Sequence, residues 1–169
     1  MPTETPEEPS HDLYLQYQVG NEFFASAIRD VFLILNSFGI IRVPNSPEYM
    51  PGAISHGGMI MPVVNMRLKL DMLPVQLQYE DYTILVMNLQ EKLSFGERLH
   101  VGVMVDRVTA LHKVPKNSIN PPVQNLFPSY PNFIQGMLHL KDLNLMIPDT
   151  RNLFKREELA GMMEACSRL

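Results

Sequence analysis

The chain has 169 residues, 46% of them hydrophobic, which is enough to bury the core of one domain. Its formal net charge is -4 and its basic side chains are scattered, which disfavours nucleic acid as a partner. A single cysteine excludes an internal disulfide, and the sequence shows neither a charged-then-apolar leader nor an apolar run of roughly 20 residues, so we expect a soluble cytoplasmic protein without direct membrane insertion.

The N-terminal part of the sequence predicts a tail followed by three strands. Residues 1–10 combine three prolines with three glutamates and predict a disordered tail. Apolar residues recur at every second position in 12–19, the period of a half-buried strand, and a Gly-Asn turn leads into a second strand at 22–26. Residues 31–35 are all apolar and predict a third strand covered on both faces, although their spacing also fits a helix.

The stretch 50–70 predicts a β-hairpin. Gly57 and Gly58 can take the positive φ angles of a tight turn, and alternating apolar residues flank them. Apolar runs between turn residues predict further strands at 82–89, 99–105, 108–114, 133–140 and 143–147. Before the last two of these runs, residues 115–131 hold five of the fourteen prolines and predict a long surface loop without regular structure.

The end of the chain changes to a helical period. Apolar side chains recur at three- and four-residue spacing at Leu159, Met162, Met163, Cys166 and Leu169. This spacing predicts a terminal amphipathic helix. About ten short strands and one terminal helix together indicate an all-β barrel or sandwich.

The sequence offers no arrangement typical of catalysis or metal binding. Its five histidines never fall in a paired ligand spacing, and it has no nucleophile elbow or phosphate-binding glycine loop, so we expect no enzyme, no metal and no cofactor. Asp106, at the end of a predicted strand, is expected to cap a turn or pair with a cation. Cys166 is expected to be a small buried hydrophobe. His56, beside the glycine turn, is the histidine best placed to meet a partner.

Four stretches resemble, in the same order, the CheW family of coupling proteins from bacterial chemotaxis arrays. They are IIRVPNSPEYMPG at 40–52, MPGAISHGGMIMPVVNMRLKL at 50–70, LHVGVMVDRVTALHKVP at 99–115 and NFIQGMLHLKDLNLMIPDTRNLF at 132–154. The resemblance implies an all-β fold of two small five-stranded SH3-like barrels that share a hydrophobic core, with a C-terminal amphipathic helix. It places a CheW-like domain at residues 11–154 and the helix at 155–169.

The resemblance also implies a function and two surfaces. Members of the family are non-enzymatic adaptors that couple the cytoplasmic tip of a methyl-accepting chemoreceptor to the regulatory domain of the histidine kinase CheA. By alignment, an apolar groove that takes the receptor tip includes Val31, Thr83 and Leu111. The kinase-binding residues implied by the alignment, together with the loop at 44–51, are Ile54, Ser55, His56, Gly57 and Gly58. Such a protein is cytoplasmic and reaches the membrane-anchored array through its partners.

Three positions depart from the family pattern. Gly57 stands where the family carries a hairpin arginine, Leu33 where well-known members have a glutamate, and Asn65 where an aspartate is usual. These changes leave two alternatives: an adaptor of an accessory or motility pathway with altered partners, or one that has lost an array interface. A further alternative is a ligand- or peptide-binding module that keeps the fold.

Overall fold

Strands make up most of the regular structure. The computed structural model describes residues 10–36, 39–72, 81–92 and 98–169, without the side chains of 90–92, so nearly all of the predicted tail lies outside the described residues. The strands of the described part are β1 (His11–Val19), β2 (Glu22–Ala27), β3 (Val31–Asn36), β4 (Gly52–His56), β5 (Met59–Asn65), β6 (Thr83–Lys92), β7 (Arg98–Val105), β8 (Arg107–Pro115), β9 (Ile119–Asn120), β10 (Ile134–Leu140) and β11 (Leu143–Pro148). The helices there are α1 (Met66–Lys69) and α2 (Arg156–Ser167).

These strands form two sheets, which confirms the predicted all-β fold. The six-stranded sheet has the order β8-β1-β2-β11-β10-β9, and the five-stranded sheet has the order β3-β6-β7-β5-β4. Both predicted tight turns are present, and their glycines have positive φ angles of 63° at Gly20, 57° at Gly57 and 79° at Gly58. Glycine adopts such angles without the steric cost that a Cβ imposes, so these residues permit the β1–β2 and β4–β5 hairpins.

Among the described residues, three apolar clusters hold the two sheets. One cluster belongs to the six-stranded sheet and includes Tyr14 and Leu138, and a second belongs to the five-stranded sheet and includes Ile54 and Val86. The largest cluster, which we call the shared core, takes side chains from both sheets and from α2, among them Phe24, Leu85 and Met162. The two sheets therefore pack on one common apolar layer, as the resemblance implied.

The first strand differs from the prediction of a half-buried strand. Residues Tyr14 to Tyr17 are all buried, whereas Leu13 is 42% exposed. Tyr14 packs in the cluster of the six-stranded sheet, while Leu15 and Tyr17 pack in the shared core. The two-residue alternation of apolar residues predicts burial correctly only when one face of the strand is exposed to solvent. It fails here because both faces of β1 are covered.

The third strand differs in the opposite sense. β3 was predicted to be covered on both faces, but its side chains alternate between half-buried and exposed, and Phe32 and Ile34 are 42% and 43% exposed. The cause is its position, because β3 is the edge strand of the five-stranded sheet and pairs with β6 alone. An edge strand lacks a neighbour on one side, so even a continuous apolar run stays partly exposed there.

The connections and the terminal helix also differ in detail from the predictions. The proline-rich loop contains a 3-10 turn at Lys116–Ser118 and the two-residue strand β9, so it is not wholly irregular. The helix α2 ends at Ser167, which leaves Leu169 outside it and 48% exposed; Ala165 is buried instead. The short helix α1, directly after β5, was not predicted, because four residues carry no readable helical period.

Candidate functional site

The glycine hairpin presents an exposed tip on a buried base. Ile54 is fully buried in the cluster of the five-stranded sheet, whereas Ser55, Gly57 and Gly58 are exposed and His56 is half-buried. The structure thus keeps the five predicted kinase-binding residues together, but only four of them reach the surface. Ile54 supports the hairpin from inside.

Exposed apolar side chains adjoin this tip. Ser55 pairs with Ile60, and Ile41 pairs with Ala53, so Ile41, Ser55 and Ile60 share one face of the sheet. Ile41 and Ile60 are 43% and 38% exposed. We call these three residues, with the Gly57-Gly58 turn, the hairpin surface. Neither isoleucine was predicted, although strand alternation from Ile54 would have placed Ile60 on the opposite face of the sheet.

Two of the predicted groove residues lie on the five-stranded sheet. Val31 pairs with Met87 and packs against the shared core. Thr83 pairs with Asn36, and its Oγ1 lies 3.2 Å from Asn36 Oδ1. Thr83, Leu85 and Met87 stand at every second position of β6, so Thr83 shares a face with these two shared-core residues. Both predicted residues therefore lie on the sheet face that covers the shared core.

The third predicted groove residue lies on the other sheet. Leu111 in β8 pairs with the shared-core residue Leu15 and is 54% exposed. Directly opposite residues share a face, so Leu111 also lies on the face that covers the shared core. Two more exposed apolar residues lie on these faces, Leu13 in β1 and Ile34 opposite Leu85 in β3. We call Leu13, Val31, Ile34, Thr83 and Leu111 the core rim.

An ion pair links α1 to the residue between β7 and β8. Arg67 Nε and Nη2 donate to Asp106 Oδ1 and Oδ2 at 2.9 and 2.6 Å, and the two side chains are only 11% and 15% exposed. The hydrogen bonds to Asp106 raise the pKa of Arg67 above its ordinary value despite burial. This geometry confirms the prediction that Asp106 pairs with a cation.

A second ion pair fixes the terminal helix. Lys69 has a side chain only 1% exposed, and its Nζ donates to Glu158 Oε1 at 2.7 Å. The ammonium also lies 4.2 Å from the ring centroid of Tyr49, 5.1 Å from that of Tyr130 and 5.6 Å from that of Phe154. Aromatic faces attract cations, so the carboxylate and three rings together compensate this buried charge.

Burial and hydrogen bonding shift the pKa values of two groups beside Lys69. Burial alone raises the pKa of the Glu158 carboxyl, but hydrogen bonds from Lys69 and the Lys155 backbone outweigh it and hold that pKa below its usual range. Burial and the nearby Glu158 carboxylate raise the pKa of Tyr49 to about 12. This network could not be predicted from local pattern, because its residues come from four separate segments.

Asn65, one of the departures from the family pattern, has a visible role. Its side-chain oxygen accepts from the backbone N–H of Arg67 at 3.0 Å and of Leu68 at 3.4 Å, so it caps the N-terminus of α1. Asparagine and aspartate are similarly good at this position. The replacement of the usual aspartate therefore keeps the cap.

We expect Asn65→Ala to lower the free energy of unfolding by about 1 kcal/mol, because two N–H groups of α1 lose their acceptor. Asn65→Asp is the matched control and should stay within about 0.5 kcal/mol of the native chain. Urea denaturation of the three proteins measures the difference. Equal losses in both variants would contradict the capping role.

The candidate chemical groups are placed in ordinary structural settings. Cys166 is 5% exposed, and burial raises its pKa to about 11, as expected of a buried hydrophobe. His100 is hydrogen-bonded to Asn88 at 3.1 Å, and desolvation lowers its pKa. In the part of the chain that the structure describes, no three His, Cys, Asp or Glu residues are grouped to hold a metal ion.

Comparisons with known proteins agree with this architecture. The sequence model described as a CheW-like domain matches residues 13–158. The chain is 26% identical over 147 residues to the chemotaxis protein CheW of Klebsiella aerogenes, covering 87% of this chain and 84% of that protein. It is also 26% identical over 113 residues to the chemotaxis protein CheW of Helicobacter pylori, covering 67% and 64% of the two chains.

A solved structure has the same fold. The crystal structure of the scaffolding protein TtCheW from Thermoanaerobacter tengcongensis superposes with a TM-score of 0.73 at 22% sequence identity, covering 88% of this chain and 96% of that one. The described helices of this chain are too short or too polar to cross a membrane.

Proposed function

Because the chain belongs to the CheW-like domain family, we propose that it is a non-enzymatic chemotaxis adaptor that couples a chemoreceptor to the histidine kinase CheA. The observation that carries the proposal is the extent of the family match, which runs from residue 13 to residue 158 and includes strands of both sheets. An adaptor needs two surfaces and no reactive group, and the hairpin surface and the core rim provide two candidates.

The core rim suits a receptor helix. Three of its apolar members, Leu13, Ile34 and Leu111, are each more than two-fifths exposed. They lie beside the shared core on β1, on the edge strand β3 and on the edge strand β8, respectively. A helix that docks in an apolar groove is held by side chains at helical spacing. We assign the core rim to the cytoplasmic tip of a methyl-accepting chemoreceptor.

The hairpin surface suits the kinase. It exposes Ile60 on the hairpin that turns at the two glycines and Ile41 beside that hairpin, and none of its own side chains is charged. Exposed apolar groups with few charges are typical of the centre of a protein interface. We assign this surface, with His56 and the loop at 44–51, to the regulatory domain of CheA. The protein then works in the cytoplasm, at arrays that the receptors anchor to the membrane.

The loss of the family's hairpin arginine is compatible with this assignment. An arginine at position 57 would bring a planar group with five donors, which glycine cannot replace. The two isoleucines on the adjoining face offer apolar contact instead. We therefore propose that the kinase contact of this chain is more apolar and less dependent on salt than one made by arginine.

The test is a binding titration of the native chain with a receptor-tip fragment and with the regulatory domain of CheA from the same organism. We expect binding to both, with the kinase affinity changing less than about threefold between low and moderate salt. Binding to neither would refute the adaptor function. Thermal stabilisation by a metabolite, with no binding to either protein, would favour a ligand-binding module instead.

Gly57→Arg tests the altered hairpin. We expect it to change kinase affinity by less than about threefold relative to Gly57→Gln, a control with the same strain at a φ of 57° and a similar length but no charge. A gain of tenfold or more with arginine alone would show that the native chain has lost this array interface.

A further inference from the structure

The described chain crosses between the two sheets twice, through the three residues Ile28–Asp30 between β2 and β3 and through a single residue after β7. β7 of the five-stranded sheet ends at Val105 and β8 of the six-stranded sheet begins at Arg107, so only Asp106 lies between them. A connection of one residue is a natural pivot between the sheets. What holds Asp106 therefore bears directly on how the two sheets are oriented.

Asp106 is held from both sheets. On the side of the six-stranded sheet, its Oδ2 accepts from Gly20 N at 3.0 Å, and its own N–H donates to Gln18 O at 2.9 Å. On the side of the five-stranded sheet, Arg67 donates two hydrogen bonds to the same carboxylate. The two oxygens thus bind groups from the β1–β2 turn and from α1 at once.

The topology explains why Arg67 reaches this point. β5 and β7 are parallel neighbours, and Asn65 at the end of β5 pairs with Met104 near the end of β7. Residues that follow these two strands therefore emerge at the same edge of the sheet. Arg67 and Asp106, each two residues further along, meet there although they are 39 positions apart.

The apolar contact between the sheets is less directional. The shared core is formed mainly by aliphatic and methionine side chains, whose contacts fix burial but set orientation only loosely. A bidentate arginine–carboxylate pair has a fixed planar geometry. Such a contact can fix the angle between the two sheets.

We propose that the Arg67–Asp106 pair positions the two sheets relative to one another and thereby shapes the core rim. This inference rests on the proposed function for its effect on the receptor. The core rim takes Val31, Ile34 and Thr83 from one sheet and Leu13 and Leu111 from the other, so its shape depends on the angle between them. The hairpin surface belongs to the five-stranded sheet alone. Arg67 is a positioning residue and contacts neither proposed partner.

The first arm of the test measures geometry without any partner. Spin labels on Ser55→Cys and Lys113→Cys, both exposed positions, report the distance between the sheets in a Cys166→Ala background. We expect one narrow distribution of label-to-label distances in this doubly labelled Cys166→Ala protein, and a broadened or shifted distribution when Arg67→Met is added. Lys69→Met is the matched control, because it removes the other buried ion pair of α1 and should leave the distribution narrow.

The outcomes separate positioning from general destabilisation. An unchanged distribution after Arg67→Met, or equal broadening after Lys69→Met, overturns the inference. If Arg67→Met does not fold, Arg67→Lys takes its place: it keeps the charge but loses the two-pronged geometry, and the inference requires broadening there too.

The second arm measures binding with the labels absent. We expect Arg67→Met to weaken receptor-tip binding at least tenfold and to change kinase-domain binding less than twofold, with Lys69→Met changing both less than threefold. Equal losses for the two partners overturn the inference. A native chain that binds neither partner refutes the proposed function, and the distance measurement then still decides the positioning role.

Discussion

Glu158→Ala is expected to lower the free energy of unfolding by about 3 kcal/mol, because it leaves the ammonium of Lys69 buried without its carboxylate. The side chain of Lys69 is 1% exposed and that of Glu158 is 25% exposed, so the loss falls at the lower end of what a fully buried pair shows. Denaturant unfolding measures it. The matched control is Glu164→Ala, an exposed glutamate on the same helix, which should cost less than about 0.5 kcal/mol.

Removing both charges tests the cause. The double variant Lys69→Met/Glu158→Leu should recover most of the loss, since apolar side chains of similar volume replace buried ion pairs at little cost. A double variant as unstable as Glu158→Ala would show that the aromatic contacts of the ammonium with Tyr49, Tyr130 and Phe154 contribute more than the carboxylate does.

The same pair predicts a dependence on pH. The folded state holds the pKa of Glu158 below its unfolded value, so the stability from this group is present at neutral pH and is lost as the pH falls through the folded pKa. The gap between the native chain and Glu158→Gln is therefore expected to be largest near pH 7 and to shrink below about pH 4. A gap that stays constant with pH would contradict the ionised state of Glu158.

Leu111→Asp is expected to weaken binding of the receptor tip by at least about 30-fold, or ~2 kcal/mol, which is the effect of removing a central apolar anchor. The carboxylate would have to be desolvated against an apolar helix, while in the free protein it stays in water because Leu111 is 54% exposed. The expected change in unfolding free energy is accordingly below about 1 kcal/mol.

Val123→Asp is the matched control for this substitution. Val123 is 59% exposed and lies in the proline-rich loop outside the core rim, so the same charge there should leave receptor binding within twofold. Unchanged binding in Leu111→Asp would refute the assignment of the core rim to the receptor. Kinase-domain binding should stay within twofold in both variants, because neither residue belongs to the hairpin surface.

Local pattern was sufficient for the longer elements of this fold. Strand alternation and the two glycine turns predicted both hairpins and the all-β class, and three- and four-residue spacing predicted the terminal helix. The pattern misjudged burial in β1 and β3, because burial depends on what covers each face and on whether a strand is central or at an edge. Neither fact is present in the local sequence.

The sequence by itself determined the family, the order of the strands along the chain and some of the residues of both proposed surfaces. Only the tertiary structure decided that Ile54 is buried while Ile41 and Ile60 are exposed, and that Arg67 meets Asp106 and Lys69 meets Glu158. These pairs lie 39 and 89 positions apart. Periodicity describes neighbours along one element, whereas long-range pairing follows from how β5 and β7 align and where α2 docks, and those are properties of the packed chain.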